Sequence, residues 1–249
     1  MKKIIAIGGG EIGRLGFSVE TRKIDKEIIR LTNKKNPSFL FLPTASSDSE
    51  SYYGVVKKYF GKELGCKTDV LYLTKNKLSR KEIGEKFLKS DIIYVGGGNT
   101  LKMMRIWRKN NVDKLLLKAY QKGVVMSGLS AGSICWFKYG LSDSRKFIDP
   151  NADLIRVSGL GFVKAIHCPH YDAEKYRKKE LKKIMKKNSG IAIALDNCRA
   201  IEIINDRYRI ISSKKSANAY KVYWKFGEYK EEIIKKENDY KKIDFLLLK

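Results

Sequence analysis

A serine lies between two glycines near the middle of the chain, in the sequence GLSAG over residues 128–132. The mostly apolar residues 123–127 before it predict a buried strand, and a helix is predicted to begin at Ala131. A serine at such a junction has the pattern of a nucleophile elbow, a strained turn that projects a hydroxyl from the end of a sheet. The flanking glycines leave room for the backbones, and the helix N-terminus favours developing negative charge. Ser130 is therefore a candidate nucleophile, although an ordinary strand-turn-helix junction has a similar composition.

The sequence offers two histidines as a base for Ser130. His167 falls inside an apolar run and is typical of a satisfied core or edge histidine, whereas His170 follows Pro169 on a loop beyond the predicted strand. His170 is therefore the expected base. A metal cluster is the alternative, but Pro169 keeps the segment extended, so the side chains of the candidate ligands would diverge. Those candidates are His167, Cys168, His170 and Asp172.

A third group is needed to orient the imidazole and to stabilise its charged form. Asp196 is the preferred candidate because it follows the predicted buried strand 191–195, which places it at a carboxyl end, like Ser130 and His170. Four other aspartates stay open as alternatives: Asp143, Asp149, Asp153 and Asp172. The chain order Ser, His, Asp differs from the Ser, Asp, His order of the α/β-hydrolases.

Two further glycine-rich turns follow predicted strands. The sequence GGGNT at residues 96–100 opens a helix at the sheet edge where parallel α/β folds bind ligands. Amides of this turn and of the elbow are the predicted donors of an oxyanion hole, with a tight strand-helix connection as the alternative. These donors belong to Gly97, Gly98, Asn99 and Ala131. Residues 8–13 match GxGxxG, but no clear helix opens directly after them, which argues against a dinucleotide fingerprint.

Short apolar runs alternate with longer helical patterns through the first half of the chain, which predicts a parallel sheet with crossover helices. The predicted strands are residues 4–7, 38–42, 70–73, 92–95 and 124–126. The predicted helices are residues 21–32, 52–64, 79–89 (opened by a capping box at Ser79) and 100–122, the last broken near Asn110 and Asn111. From residue 201 onward, alternating apolar residues predict antiparallel or mixed pairing at one end of the sheet. We expect a single α/β domain over residues 1–249.

Charge is the unusual property of the composition, because 52 Lys and Arg residues against 27 Asp and Glu give a net charge of +25. This balance raises nucleic acid or an anionic membrane surface as partners. The excess is spread along the chain, without the aromatic-interleaved stretches that stack bases, so a solvated lysine face is expected. In the densest run, residues 176–187, we expect Leu181, Ile184 and Met185 to form the buried side of a helix.

Targeting signals are not evident in the sequence. No run approaches the roughly 18 apolar residues that a membrane span needs, and the first apolar stretch ends at residues 8–10. The four cysteines are scattered without a CxxC pair, which fits reduced thiols. A cytoplasmic protein is expected.

Four segments resemble the peptidase E and cyanophycinase family of serine peptidases, in matching order and separation. They are residues 96–100 (GGGNT), 128–133 (GLSAGS), 168–171 (CPHY) and 195–197 (LDN). The resemblance implies a three-layer α/β/α sandwich with a mainly parallel sheet, similar to class I glutamine amidotransferases. It also implies Ser130 as nucleophile, His170 as base and Asp196 as acid, where peptidase E itself has a glutamate.

By this resemblance the chain would hydrolyse short peptides through an acyl-enzyme, with an N-terminal aspartate as one candidate preference. No metal or cofactor is implied, and neither nucleic acid nor a membrane is expected as a partner. Residues 133–136 (SICW) are similar to uncharacterised peptidase-E-like proteins. The alternative from another functional class is a non-catalytic α/β module whose glycine turns bind an anionic ligand or nucleic acid.

Overall fold

The computed structural model describes residues 1–74, 78–173, 175–188, 190–236 and 238–248. Its strands are β1 (Lys3–Ile7), β2 (Ser38–Leu42), β3 (Lys67–Val70), β4 (Ile92–Val95), β5 (Val125–Leu129), β6 (Phe137–Ser142), β7 (Ile155–Ser158), β8 (Val163–Cys168), β9 (Ile191–Leu195), β10 (Arg199–Ile204), β11 (Arg207–Ser212), β12 (Ala219–Lys225), β13 (Glu228–Ile233) and β14 (Lys241–Lys242). Its α-helices are α1 (Arg22–Arg30), α2 (Glu50–Val56), α3 (Arg80–Lys89), α4 (Thr100–Lys109), α5 (Val112–Gln121), α6 (Ala131–Ile134), α7 (Lys175–Lys187) and α8 (Ile243–Leu247).

The strands form two sheets. The first has the order β14-β11-β10-β1-β5-β4-β2-β3, and the second has the order β13-β12-β9-β8-β6-β7. Strands β1 to β5 pair in parallel, as do β6, β8 and β9, whereas the remaining strands add antiparallel pairs at the sides. Helices flank the sheets, so the predicted α/β fold class is confirmed. The antiparallel pairing expected after residue 201 is present, but it is shared between the sheets: β10 and β11 join the first, and β12 and β13 join the second.

In the first half of the chain, most predicted helices and strands lie close to the observed ones. The capping box at Ser79 is formed, with the Ser79 hydroxyl accepting from the Glu82 amide and the Glu82 carboxylate accepting in return. The predicted break in the fourth helix is also confirmed, because Asn111 adopts a left-handed conformation with φ of 54° between α4 and α5. One strand lies elsewhere than predicted: β3 ends at Val70, and the buried Leu71 and Leu73 lie beyond its end. The Leu71 amide still donates to the Phe41 carbonyl of β2 (3.0 Å).

Helix α7 has the amphipathic form predicted from its spacing. Leu181 and Met185 are buried in the core of the second sheet, and Ile184 is partly buried against it. The exposed lysines are Lys178, Lys179, Lys182, Lys183, Lys186 and Lys187. Among the described residues, no helix is long and apolar enough to cross a membrane.

Two strand ends of the first sheet bring the candidate residues together. Ile7 at the end of β1 is the parallel partner of Leu129 at the end of β5, so the first glycine turn and Ser130 leave the sheet side by side. The second sheet meets this edge through backbone hydrogen bonds, from the His170 amide to the Gly8 carbonyl (2.9 Å) and from the Cys198 amide to the Gly9 carbonyl (2.8 Å). The glycine turn after β1 therefore lies between loops that follow β8 and β9.

Candidate active site

Ser130 occupies a strained turn between β5 and α6. Its φ of 56° and ψ of −116° lie where non-glycine residues are rare, a conformation that costs roughly 1–3 kcal/mol. The glycines beside it are required by space: a Cβ on Gly128 would lie 2.5 Å from the Val95 carbonyl oxygen, and one on Gly132 would clash with the same oxygen. Within the described part of the chain, the Ser130 hydroxyl makes no hydrogen bond. The sharp turn expected from the GLSAG sequence is thus present.

Ser130 and His170 line the same cavity, which has a volume of about 780 Å³. This volume is within the range of small-ligand sites, roughly 300–1,000 Å³. His170 also has a positive φ, of 55°. Its Nδ1 donates to the Asn197 side-chain oxygen over 2.7 Å. Because Nδ1 carries the proton in this bond, the lone pair of the neutral ring is on Nε2, the form that a general base requires.

Gly9 provides the space in which this pair is formed. A Cβ on Gly9 would clash with the His170 ring and with the Asn197 side-chain oxygen. The first glycine-rich turn, which matched a dinucleotide fingerprint in the sequence, therefore has a different use: it lets the imidazole and the amide approach the backbone at the end of β1.

Asp196 makes a different contact from the one expected. Its Oδ2 accepts from the Asn218 amide (2.7 Å), and its own amide donates to the Asn218 carbonyl (3.0 Å), which continues the antiparallel pairing of β9 with β12. The other oxygen has no partner among the described residues, and burial raises the pKa of the carboxyl. The next residue, Asn197, lies in the turn between β9 and β10 and is the one that meets His170.

The other candidate acids are placed as follows. Asp172 accepts the Asn197 backbone amide over 2.8 Å, and therefore supports the residue that contacts His170. Asp143 pairs with the buried Arg177, and Asp153 pairs with the exposed Lys183. Asp149 accepts from the Asn151 amide in an exposed loop.

Four amides were predicted to form an oxyanion hole, and two of them are already used within the fold. The Gly97 amide donates to the Tyr52 hydroxyl (3.3 Å), and the Asn99 amide donates to the Ala45 carbonyl (2.8 Å). Asn99 also caps α4, because its side-chain oxygen accepts from the Lys102 amide. The Gly98 and Ala131 amides make no hydrogen bond within the described residues. Gly98 lines the cavity, and Ala131 is the first residue of α6.

His167 is a core residue, as its position in an apolar run indicated. It is fully buried and stacks on Phe137 with ring centroids 4.5 Å apart. Its Nδ1 donates to the Ile193 carbonyl (2.9 Å), and its Nε2 is hydrogen-bonded to the Ser133 hydroxyl (2.8 Å). Burial lowers the pKa of His167 to about 3, so the ring is neutral. Within the described ranges, no three metal-binding side chains come together.

The cavity also contains residues that the sequence did not single out as functional. Glu11 accepts from three consecutive backbone amides and from the Arg14 guanidinium (2.7 Å), and thereby folds the loop after β1. Burial opposes ionisation of Glu11, but the bonds from Arg14 outweigh it, and the pKa lies below its ordinary value. Tyr52 lines the same wall as Gly97. Outside this cavity lining, Asn197 contacts His170 and had a sequence signal, since it follows the preferred acid directly.

Known peptidases are similar to this chain over most of its length. The sequence model of peptidase family S51 matches residues 3–211. The uncharacterized peptidase YgaJ of Bacillus subtilis (strain 168) is 36% identical over 230 residues, which cover 89% of this chain and 92% of YgaJ. The uncharacterized peptidase Lmo0363 of Listeria monocytogenes is 29% identical over 143 residues, which cover 57% of this chain and 62% of that protein.

Solved structures share the fold. A peptidase from an acI-B1 Actinobacterium has a TM-score of 0.72 at 18% identity, covering 97% of both chains. A putative peptidase E protein from Listeria monocytogenes EGD-e has a TM-score of 0.63 at 21% identity, covering 85% of this chain and 98% of the other. At these identities the likeness shows the fold alone. By the family match over residues 3–211 and the identity to YgaJ, this chain belongs to peptidase family S51 and is a serine-type peptidase.

Proposed function

We propose that this chain hydrolyses short peptides by acyl transfer, with Ser130 as nucleophile and His170 as general base. The observation that carries the proposal is that Ser130, on its strained turn, and His170, with Nδ1 bound to Asn197, line one cavity. Two backbone amides nearby have no partner in the described structure. The Gly98 amide belongs to a residue that lines the cavity, and the Ala131 amide is at the start of α6, directly after Ser130.

The proposed reaction proceeds through two tetrahedral intermediates. The Ser130 oxygen bonds to the scissile carbonyl carbon while His170 takes the hydroxyl proton, and the carbonyl electron pair moves to the oxygen. That oxyanion is stabilised by the Gly98 and Ala131 amides. When the intermediate collapses, the C–N bond breaks and His170 gives its proton to the leaving amine. Water, deprotonated by His170, then attacks the acyl-enzyme carbonyl carbon. When the second intermediate collapses, the bond from this carbon to the Ser130 oxygen breaks, the acid product leaves, and His170 returns the proton to Ser130.

The nucleophile is tested by covalent labelling. A fluorophosphonate should modify the wild-type protein at Ser130, and Ser130→Ala should fold normally, lose labelling and lose nearly all peptide turnover. Should Ser130→Ala keep wild-type turnover on a cleaved peptide, the mechanism is wrong. Salt-sensitive nucleic-acid binding without any labelling would instead favour the non-catalytic module.

The residue that orients His170 is the second part of the proposal. The sequence and the family resemblance name Asp196, whereas the 2.7 Å hydrogen bond supports Asn197, with Asp172 behind it. An amide oxygen can hold the Nδ1–H tautomer as a carboxylate does, but it adds no negative charge beside the imidazolium. We therefore propose that Asn197 orients the ring and that the Asp196 carboxylate acts on His170 only indirectly.

Two substitutions separate these roles. Asn197→Ala should lower kcat by about 10² or more, because it removes the acceptor that fixes the tautomer. Asp196→Asn should leave kcat within about tenfold, because residue 196 does not contact His170 directly. It should lower the free energy of unfolding, because it changes the buried acceptor that the Asn218 amide uses between β9 and β12. A loss of about 10³ to 10⁴ for Asp196→Asn, with Asn197→Ala near wild type, would restore Asp196 as the acid.

A preference for an N-terminal aspartate is the narrower proposal, and Arg14 is the residue that could supply it. Its guanidinium lines the cavity, has a side chain 67% exposed and is held by Glu11 at 2.7 Å. A substrate carboxylate bound there would add a charge-assisted hydrogen bond, worth about 10- to 100-fold in kcat/KM. Arg14→Gln should therefore reduce turnover of Asp-Leu but not of Leu-Leu. If the wild type does not prefer Asp-Leu, this narrower proposal fails and the serine peptidase mechanism stands.

A further inference from the structure

Tyr52 places a side-chain hydroxyl beside the predicted nucleophile. Its oxygen accepts from the Gly97 amide over 3.3 Å. Gly97 in turn is next to Ser130, because a Cβ built on Gly97 would lie 3.5 Å from the Ser130 Cβ. Tyr52, Gly97 and Ser130 all line the 780 Å³ cavity. The hydroxyl is therefore part of the wall that a carbonyl attacked by Ser130 would meet.

The Tyr52 ring is held in a fixed position by its surroundings. Its edge packs against Gly96, where a Cβ would lie 2.9 Å from a ring carbon, and against Phe41 at a centroid distance of 5.0 Å. Its backbone amide donates to the side chain of Ser49, the residue that caps α2. A hydroxyl on so constrained a ring is preorganised, which is what stabilisation of a transition-state charge requires.

The proton of this hydroxyl has no acceptor within the described residues. A phenol has one proton to donate, and the Gly97 amide uses the oxygen as an acceptor, so the proton is left for a group that enters the cavity. The donation from Gly97 also polarises the O–H bond and makes it a better donor. Burial raises the pKa of Tyr52 to about 12, so the proton is retained over the whole working range of pH.

We propose that the Tyr52 hydroxyl donates a hydrogen bond to the oxyanion of the tetrahedral intermediate, as a third donor beside the Gly98 and Ala131 amides. Through this hydroxyl, the Gly97 amide acts on the substrate indirectly, although its own hydrogen is turned to Tyr52. The inference rests on the proposed peptidase mechanism and adds to it a side-chain group that touches the reacting oxygen.

The test compares two neighbouring tyrosines on α2. Tyr53 donates to the Thr68 carbonyl (3.3 Å) and does not line the cavity, so Tyr53→Phe is the matched control for Tyr52→Phe. Each variant is measured for kcat and KM on a cleaved dipeptide, for the rate of labelling by a fluorophosphonate, and for binding of a peptide aldehyde. The phosphoryl oxygen of the label and the oxyanion of the aldehyde adduct both occupy the proposed site.

For Tyr52→Phe we expect kcat to fall by about 10² to 10³, in line with loss of one oxyanion donor, with KM changed by less than about threefold. Labelling rate and aldehyde affinity should fall with kcat. Tyr53→Phe should match the wild type in all of these, and both variants should unfold at nearly the wild-type temperature.

Four results would overturn the inference. If the wild type is labelled and Tyr52→Phe reacts within threefold of it, Tyr52 is not a donor and the peptidase mechanism stands. Equal losses in Tyr52→Phe and Tyr53→Phe, or a rise in KM that accounts for the loss, would assign the effect to packing of α2. A wild type that is neither labelled nor active would refute the proposed mechanism itself, and this inference with it.

Discussion

Asp25, a buried carboxyl in α1, should make the free energy of unfolding depend on pH. Asp25 is fully buried, and its Oδ2 accepts from the Thr21 hydroxyl (2.7 Å) and the Tyr59 hydroxyl (2.9 Å). Its Oδ1 has no partner among the described residues. Burial raises the pKa of Asp25 to about 7, against an ordinary value of 3.8, because the two donors offset only part of the cost of desolvation.

Because the pKa of Asp25 is higher in the folded state than in the unfolded chain, the carboxyl is protonated up to a higher pH in the folded state. Between pH 3.8 and about 7 the native state binds more protons at Asp25 than the unfolded chain does, so the free energy of unfolding falls as pH rises. The contribution is fully present below pH 3.8 and is lost by pH 7. A shift of about 3 units corresponds to about 4 kcal/mol, at 1.36 kcal/mol per unit.

Asp25→Asn removes this dependence while keeping the shape and the acceptor for Thr21 and Tyr59. The buried amide adds a cost that does not vary with pH, so the slope rather than the absolute stability is the test. Measured by urea unfolding with tryptophan fluorescence, the stability of the variant relative to the wild type should increase by about 3 kcal/mol from pH 4 to pH 7, because Asp25 is still half protonated at its native pKa.

His167 makes the comparison sharper because its shift has the opposite consequence. Its pKa is lowered to about 3 in the folded state, so its contribution is fully present above pH 6.5 and is lost as pH falls toward 3. Between pH 4 and 6.5, Asp25 lowers the free energy of unfolding as pH rises, whereas His167 raises it. In Asp25→Asn only the His167 contribution should remain, so the stability of this variant should rise with pH over this range. A difference between variant and wild type that is constant from pH 4 to 7 would refute the assignment of the raised pKa to Asp25.

Other expectations follow from space, charge and burial. Gly9→Ala should lower kcat by at least about 10², because the new methyl group displaces the His170 ring and the Asn197 side chain. Gly54→Ala is the control: its methyl group would have no atom within 4 Å, so turnover should match the wild type. Reversing the charges of Lys182 and Lys186 on the exposed face of α7 should leave peptide turnover within a few-fold; a loss confined to acidic peptides would show that these lysines steer substrates. His167→Phe should lower the free energy of unfolding by about 1–3 kcal/mol, because it leaves the buried Ile193 carbonyl without its His167 donor, and should retain turnover within about tenfold. Loss of all turnover in a folded His167→Phe protein would mean that the core histidine acts on the elbow.

The parts of the fold that depend on near neighbours in sequence were predictable. The capping box at Ser79, the break at Asn111 and the strained turn at Ser130 each arise from a few adjacent residues. The boundary of β3 was not, because the buried Leu71 and Leu73 continue the apolar run past Val70, where the strand ends. Division of the strands into two sheets depends on pairings between distant segments, such as β9 with β12, which no local pattern specifies.

The same distinction explains the candidate site. Ser130 and His170 could be proposed from local patterns. The choice between Asp196 and Asn197 could not, because it depends on the tertiary structure: the Asp196 side chain bonds to Asn218, and the Asn197 side chain bonds to His170. A carboxylate is the better partner for imidazolium on chemical grounds, and chemistry alone therefore favoured Asp196. Likewise, nothing in the sequence indicates that the Gly97 and Asn99 amides find acceptors on Tyr52 and Ala45.

The turn after β1 lies between loops of both sheets, and this has a consequence for how the protein acquires activity. Its carbonyls accept from the His170 and Cys198 amides, so His170, the proposed base, reaches its place only when segments more than 150 residues apart in the chain have docked. Contacts of such long range form late in folding, because the chain must first be closed into large loops. During refolding, recovery of turnover should therefore lag behind the return of helical circular dichroism, and a partly assembled chain would be harmless to the peptides around it.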